Sequence, residues 1–179
     1  MIGLRKPLHI DARRLARAAD DPAIADSMIS LPSPFRQEDA EECTAAVQER
    51  PDVDGYIIES QSDGSIVGAA ELRDIHLEHR QAEASFWLTP ASWGRGYGSA
   101  AVLQLTKIAF ENHGLNRVYA YHMARNPASG RVLAKCGFQL EGRLRQRVWK
   151  MGRTEDAILW SRLASDPEPT WRPAAARRP

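Results

Sequence analysis

The sequence lacks several features that would assign a protein to a whole class. Its 179 residues include only two cysteines, Cys43 and Cys136, which are too few for a disulfide framework and suggest a reducing compartment. Charges nearly cancel, at 24 Lys and Arg against 23 Asp and Glu, so no bulk field favours nucleic acid or an anionic membrane. No apolar run approaches the length of a membrane span. We therefore expect neither nucleic acid nor membrane as a partner.

Two further absences concern targeting and metals. The N-terminal residues lack the apolar core of a signal peptide, and we expect a cytoplasmic location. The histidines form no pair on a shared helix with carboxylates, so the spacing typical of metal ligands is absent. They are His9, His76, His79, His113 and His122. We therefore expect no metal cofactor.

The composition predicts one globular domain followed by a short tail. A chain of this length with 43% hydrophobic residues is large enough for a single core. From Asp166 onward the sequence becomes rich in proline and arginine, a composition typical of disordered or loosely packed segments. We therefore place the domain at residues 1–165 and a flexible tail at residues 166–179.

The most informative segment is the glycine-rich stretch Gly94-Arg95-Gly96-Tyr97-Gly98-Ser99, which separates two periodic segments. Residues 82–88 alternate like a strand, and residues 99–112 carry apolar side chains on one helical face. The first amides of a helix lack internal partners, and the helix dipole is positive there. Glycine also lets the backbone come close to a phosphate. The segment therefore predicts a site for a phosphorylated ligand at residues 94–99.

Two common phosphate-binding motifs do not match this stretch. A P-loop ends in Gly-Lys-Ser/Thr, which is absent here. A dinucleotide-binding fold needs G-x-G-x-x-G and an acid about 20 residues later, where this chain has Tyr119 and Ala120. A glycine-rich turn that holds no ligand remains a further alternative.

The stretch resembles the pyrophosphate loop of the GNAT N-acetyltransferases, whose pattern is Q/R-x-x-G-x-G/A. Gly96-Tyr97-Gly98 fits its glycine part, and Trp93 stands where the family usually has Gln or Arg. Residues 126–138 resemble the family's second cofactor segment, which is N-x-x-S followed by a helix and Gly-Phe. A simple capped helix would also explain Asn126, a good N-cap residue. The resemblance covers residues 7–164 and is similar to the Rim-type branch, which acetylates the N-termini of ribosomal proteins.

The resemblance implies an α/β fold with a mixed, mostly antiparallel sheet. Six to seven strands are expected, splayed between the fourth and fifth, with about four flanking helices. Periodicity along the chain predicts a compatible order of elements. Helices are predicted over residues 11–19, 36–50, 99–112 and 127–136, and strands over 8–10, 55–60, 65–72, 82–88, 116–122, 138–149 and 150–163.

The resemblance also implies acetyl-CoA as co-substrate and no acyl-enzyme intermediate. Its pantetheine arm would bond to the backbone of residues 87–89, and its pyrophosphate to the amides of residues 95–99. The cofactor-binding residues implied in this chain are Trp87, Leu88, Thr89, Trp93, Gly94, Arg95, Gly96, Tyr97, Gly98, Ser99, Asn126, Ser129 and Lys135.

The candidate catalytic residues are Ser129, Glu83 and Glu71. Many relatives carry a Tyr as general acid where this chain has Leu133, which leaves Ser129 as the best partner for the thioester sulfur. Capping the first helical turn is an equally good role for Ser129. Glu83 is the first choice for general base because strand parity groups it with Trp87, and Glu71 is the second. Either carboxylate could instead be an ordinary surface group.

The leading hypothesis is an acetyl-CoA-dependent N-acetyltransferase that acts on the α-amine of a protein or peptide. Acetylation of a small amine, such as an amino acid, polyamine or antibiotic, is the alternative. A CoA-binding module without turnover is a different class of function, and an unrelated nucleotide-binding protein is a third. Family members are often dimers, so a homodimer is a further expectation.

Overall fold

The computed structural model of the protein describes residues 1–172 and is built on one sheet of seven strands. The strands are β1 (Ile2–Arg5), β2 (Asp54–Ser60), β3 (Ile66–His76), β4 (Gln81–Leu88), β5 (Arg117–Met123), β6 (Gln139–Lys150) and β7 (Arg153–Leu163). Their spatial order is β1-β2-β3-β4-β5-β7-β6. Only the β4–β5 pair is parallel within the described sheet. The predicted mixed, mostly antiparallel sheet is thus confirmed.

Five α-helices lie in the described part of the chain. They are α1 (Ala12–Ala19), α2 (Pro22–Ser27), α3 (Gln37–Glu49), α4 (Tyr97–Glu111) and α5 (Pro127–Lys135). Four of them match the predicted helices, whereas α2 was not predicted. It begins where the Asp21 side chain accepts a hydrogen bond from the Ala23 amide at 2.8 Å, with Pro22 in the first turn. That pairing of an N-cap acid with proline is the signal that could have revealed it.

The helices cover the two faces of the sheet with separate apolar clusters. On one face, Ala84 and Leu88 of β4 join Leu105 of α4 in the larger cluster. On the opposite face, Trp87 joins Leu15 of α1 in the second cluster. Successive residues of β4 therefore contact different layers, as the period of a strand requires.

The centre of the sheet opens between β4 and β5. These strands pair only over Gln81–Glu83 and Arg117–Tyr119. Beyond Glu83 the two strands diverge, so residues 84–88 border a gap instead of a neighbouring strand. The splay predicted between the fourth and fifth strands is confirmed, and it places an unpaired β4 edge beside the start of α4.

The first strand was predicted wrongly at residues 8–10. The structure forms a 3₁₀ turn at His9–Asp11 and places β1 at Ile2–Arg5, where Ile2 pairs with Ser60. Ile2 is buried, whereas Leu8 and Ile10 are exposed. Burial of Ile2 favours a first strand at residues 2–5. The strand does not continue through Pro7, because proline lacks the amide that would donate to the neighbouring strand.

Residues 166–172, which the sequence assigns to the tail, pack against the domain. Pro169 is buried, and Trp171 contacts the larger apolar cluster. The rest of the predicted tail, residues 173–179, lies outside the described residues. The domain boundary at residue 165 therefore stays a prediction.

Candidate active site

The glycine stretch forms a tight turn that ends in the N-terminus of α4. Gly94 and Gly96 adopt φ angles of +75° and +78°, which only glycine enters without strain. The first helical bond runs from the Ala100 amide to the Gly96 carbonyl at 3.0 Å. The amides of residues 97–99 precede that bond and have no partner within the helix. This geometry fits an anion that accepts hydrogen bonds from several amides.

A cavity of about 290 Å³ lies between this turn, the free edge of β4 and the start of α5. All of the predicted cofactor residues except Thr89 and Arg95 line it: Trp87, Leu88, Trp93, Gly94, Gly96, Tyr97, Gly98, Ser99, Asn126, Ser129 and Lys135. The structure thus gathers three separate segments of sequence around one space. We refer to this space as the cofactor cavity.

Close packing shapes the wall of the cofactor cavity. A Cβ added to Gly98 would lie 3.2 Å from Cε2 of Phe86, so a larger residue would push the helix away from β4. The indole Nε1 of Trp93 donates to the Leu88 carbonyl at 2.9 Å and ties the turn to the end of β4. Trp93 therefore has a structural function at a position where the family usually has Gln or Arg.

Two predicted residues lie beside the cofactor cavity rather than in its wall. The Thr89 amide donates to the Val67 carbonyl at 2.9 Å, and its hydroxyl lies 2.9 Å from that of Ser92. Arg95 is exposed. Sequence reasoning in turn missed Met28, which follows the unpredicted α2, and Arg131 on α5, which adds a cation to the wall.

Asn126 and Ser129 form a connected pair at the start of α5. The Asn126 Oδ1 accepts from the Ser129 amide at 3.3 Å, which caps the helix. Its Nδ2 donates both to the Ser129 hydroxyl and to the Ser27 carbonyl, each at 3.2 Å. Because the Ser129 oxygen accepts a bond from Asn126, its own proton is left to donate to a ligand in the cofactor cavity.

The two candidate bases lie in different electrostatic surroundings. Arg73 donates to Glu83 at 2.5 Å, and Glu83 is largely buried, so its charge is neutralised by a direct ion pair. Glu71 lies 3.7 Å from the same guanidinium, beyond hydrogen-bond distance, and its side chain is 38% exposed. Burial of the carboxyl raises the pKa of Glu71, although the nearby Arg73 charge opposes that shift.

A second cavity, of about 140 Å³, lies under α1 and α3 and meets the β4 edge from the other side. Its walls are largely apolar and include Leu15, Leu31 and Phe35. Glu71 is the only charged residue among the described side chains that line it. Met28, Phe86 and Trp87 border both cavities. We refer to this second space as the apolar cavity.

His122 lies near Ser129 and Glu83 but has both ring nitrogens engaged. Its Nδ1 donates to the Met123 carbonyl at 2.9 Å, and its Nε2 accepts from the Trp160 indole at 3.0 Å. These bonds occupy both ring nitrogens and fix the orientation of the ring. His122 therefore packs the floor of the site and does not serve as a free base.

Two kinds of feature are absent from residues 1–172. No helix there is both long and apolar enough to cross a membrane. Within the same range, no group of three or more His, Cys, Asp or Glu side chains is placed to hold a metal ion.

Fold and site together define an acetyltransferase domain. Residues 2–139 match the family model described as the acetyltransferase (GNAT) domain, and the chain belongs to this family. The predicted family is thus confirmed.

Sequence relatives include two proteins of Bacillus subtilis (strain 168). The uncharacterized N-acetyltransferase YoaA is 32% identical over 104 residues, which is 58% of this chain and 59% of YoaA. YdaF, named as a candidate ribosomal N-acetyltransferase, is 33% identical over 101 residues, or 56% of this chain and 55% of YdaF. The chain thus matches somewhat more than half of the length of these relatives.

A solved structure extends the comparison to almost the whole fold. The crystal structure of spermidine N-acetyltransferase from Vibrio cholerae, in complex with CoA and spermine, superposes with a TM-score of 0.82. The match covers 92% of this chain and 96% of that chain, at 22% identity. This similarity confirms the predicted GNAT fold.

Proposed function

We propose that this protein transfers an acetyl group from acetyl-CoA to a primary amine. One observation carries the proposal: the free edge of β4 and the unpaired amides at the start of α4 border the same cavity. A strand edge suits the amide-containing pantetheine arm, and a helix N-terminus suits a pyrophosphate. Acetyl-CoA carries both groups, one after the other.

The cofactor cavity assigns separate tasks to separate elements. The amides of residues 97–99 would hold the pyrophosphate, and Arg131 and Lys135 would add positive charge around the phosphates. The backbone of residues 84–88 would hold the pantetheine arm. The bound thioester supplies the acyl group, and fixing it beside an acceptor gains much of the rate because the encounter becomes effectively unimolecular.

Ser129 is the proposed partner of the leaving sulfur. Asn126 donates to its oxygen and so directs the hydroxyl proton away from α5. An alcohol is a weak acid, so Ser129 stabilises the departing thiolate through a hydrogen bond instead of full proton transfer. Such a bond strengthens as negative charge develops on sulfur.

Glu71 is the proposed base that accepts the proton of the amine. Glu83 was the first choice from sequence, but it is largely buried and one of its carboxylate oxygens is held by Arg73 at 2.5 Å. Glu71 makes no comparable bond to Arg73, and its pKa is raised by burial. Glu71 lies opposite Ser85 in the β3–β4 register. A water bound between these two side chains would carry the proton from the amine to Glu71.

The apolar cavity favours an acceptor with a single amine on an apolar body. Only one carboxylate, Glu71, faces it among the described residues, whereas an extended polyamine carries several charges that need partners. The α-amine of a peptide that begins with an apolar residue meets this requirement. The Rim-type resemblance and the match to YdaF point in the same direction.

A small amine is the second candidate acceptor. It is supported by the similarity to a spermidine N-acetyltransferase solved with spermine. A CoA-binding module without turnover is a third outcome, which the Leu133 substitution for the family's tyrosine keeps open. The homodimer and the cytoplasmic location also remain proposals.

The test follows thiol release from acetyl-CoA with two panels of amines. One holds peptides with free N-termini beginning with Ala, Ser, Met or Leu, and the other holds amino acids, polyamines and aminoglycosides. Turnover confined to peptides supports the leading proposal, with the Leu peptide expected to be among the best. Turnover confined to small amines replaces it with the second candidate.

Binding of CoA, measured by calorimetry on the same preparation, separates the remaining outcomes. Tight binding without turnover on either panel would establish the non-catalytic module. Failure to bind CoA, with preference for ATP or NAD, would refute the proposed function altogether.

A further inference from the structure

The chain after β7 follows a defined path past the end of α5 and the start of α4. We call residues 164–172 the C-terminal strap. The Ala164 amide donates to the Asn116 carbonyl at 2.9 Å, and Asp166 accepts from the Leu163 amide at 2.8 Å. The side chain of Gln139 donates to Asp166 at 3.3 Å. These bonds fix the strap at its beginning.

The strap then contacts both helices that bear the cofactor residues. A Cβ on Gly137, directly after α5, would lie 3.5 Å from Cβ of Pro169. A Cβ on Gly96, directly before α4, would lie 3.4 Å from Cζ2 of the Trp171 indole. Pro169 is buried and Trp171 half-buried. The indole thus rests against the turn that presents the phosphate-binding amides.

Trp171 reaches this turn from outside the cofactor cavity. Gly96 is part of the cavity wall, whereas Trp171 is absent from the described residues that line it. The position of Trp171 therefore does not indicate a direct contact with the ligand. The indole lies where a Cβ of Gly96 would project, next to a residue in the left-handed region with φ +78°.

We propose that Trp171 is a positioning residue for cofactor binding, which holds the Gly96 turn so that the amides of residues 97–99 converge on the pyrophosphate. The inference rests on the proposed function, since it concerns the same cavity. Three glycines in six residues give this stretch unusual backbone freedom. A flat, half-buried indole against its central glycine restricts that freedom before the ligand arrives. Preorganisation of this kind raises affinity without a new ligand contact.

The expected consequence is a selective loss of affinity for phosphorylated ligands. When only a fraction of the protein holds the binding-competent turn, the apparent Kd rises by the inverse of that fraction. Trp171→Ala in the full chain is expected to raise the Kd for CoA by about tenfold. The KM for acetyl-CoA would rise in parallel, and kcat would stay within about twofold because the chemical step is untouched.

The experiment compares acetyl-CoA with S-acetylpantetheine, which carries the thioester but lacks the pyrophosphate. Trp171→Ala is expected to lower kcat/KM for acetyl-CoA only. Trp171→Phe, which keeps a flat ring, is expected to restore most of the affinity. Trp149→Ala is the matched control, since this tryptophan is 73% exposed on β6 and away from the turn. It should leave the Kd for CoA unchanged.

Two results would overturn the inference. One is an unchanged Kd for CoA in Trp171→Ala, and the other is an equal loss with S-acetylpantetheine, which would indicate general destabilisation. Thermal unfolding of each variant identifies a misfolded preparation, and Trp171→Phe supplies the folded comparison in that case.

Amide hydrogen exchange in the ligand-free protein keeps this inference separate from the proposed function. Faster exchange at the Ala100 amide, which donates to the Gly96 carbonyl, in Trp171→Ala supports the positioning role even if the wild-type protein fails to bind CoA. Equal exchange in the two proteins contradicts it. Failure of the wild type to bind CoA refutes only the proposed function.

Discussion

The two cavities that meet at β4 are built by different means. The cofactor cavity takes most of its wall from two parts of the chain, residues 86–99 and 126–135, and its proposed anion-binding groups are backbone amides. The apolar cavity takes its wall from α1, α3, β2, β3, β4 and the loops between them, and most of the residues that line it carry apolar side chains. Backbone groups are available to every sequence that makes the turn, whereas a side-chain wall changes with each substitution. The comparison explains why the family of this chain is clear while its acceptor stays a proposal.

The largest expected effect concerns Gly96, in the turn that presents backbone amides to the cofactor cavity. Gly96→Glu would force a side chain into a φ of +78° and direct it against the Trp171 indole, which displaces the turn that presents the amides of residues 97–99. We expect CoA binding to weaken by at least about a hundredfold, because the displaced amides no longer converge on the pyrophosphate and the added negative charge near the turn also repels it. Isothermal titration calorimetry measures the loss. Unchanged binding would show that the turn at Gly96 is not the phosphate site.

Gly64→Glu is a control for Gly96→Glu, because it introduces the same side chain at another glycine with a positive φ. Gly64 also has a positive φ, of +66°, and lies in the β2–β3 turn with open space around it. Gly64→Glu therefore carries the same strain without entering the cofactor cavity, and its Kd for CoA should equal that of the wild type.

The next largest effect concerns Glu71, the charged side chain that lines the apolar cavity. Glu71→Gln is expected to lower kcat by about a hundredfold, the scale of a lost general base, and to leave the Kd for CoA unchanged. The deficit should narrow as pH rises towards about 8, where an α-amine begins to lose its own proton. A pH–rate profile of both proteins measures this, and Glu83→Gln serves as the comparison. A larger loss in Glu83→Gln would return Glu83 to first place.

Stability should move in the opposite direction for Glu71→Gln. A carboxyl whose pKa is raised by folding binds its proton more tightly in the folded state, so ionisation lowers stability once the pH exceeds the unfolded pKa. The full penalty is present above the folded pKa. Removing the carboxyl should therefore raise the thermal midpoint at pH 7 by a small amount, because the Glu71 side chain is 38% exposed and solvent screens its charge. A lowered midpoint would show that ionisation of Glu71 does not destabilise the fold.

The smallest effect concerns Ser129, which lines the cofactor cavity. Ser129→Ala is expected to reduce kcat by about tenfold, the value of one hydrogen bond made in the transition state. The Kd for CoA should be unchanged, because Asn126 still caps α5 through the residue 129 amide. Ser62→Ala, in the β2–β3 turn, controls for loss of a hydroxyl elsewhere. An unaltered kcat would assign Ser129 to helix geometry alone.

The sequence predicted most of the fold because local signals and tertiary packing agree there. The Gly96–Gly98 pattern, the Asn126 cap and the alternation in β4 each act within a few residues, and each appears in the structure where it was expected. The first strand is the exception, because local signals did not determine its position. Leu8 and Ile10 look apolar in sequence, but the position of β1 is decided by pairing of Ile2 with Ser60, which is distant along the chain.

The choice of general base and the role of Trp171 could not be predicted from the sequence, because both depend on contacts that form only in the folded structure. The difference between Glu71 and Glu83 depends on which carboxylate Arg73 reaches, and strand parity alone cannot give a distance of 2.5 Å against 3.7 Å. The contact between Trp171 and Gly96 joins residues separated by most of the second half of the chain. No periodicity or motif in the sequence signals such a contact.

The thiol of Cys136 bears on the chemical durability of the site. Its Sγ donates to the Ser99 carbonyl at 3.3 Å and so links the end of α5 to the first turn of α4. Burial raises the pKa of this thiol to about 12, and the side chain is inaccessible to solvent. Oxidants and alkylating reagents attack the thiolate, which is almost absent at neutral pH under these conditions. The clamp between the two helices is therefore expected to withstand oxidative stress.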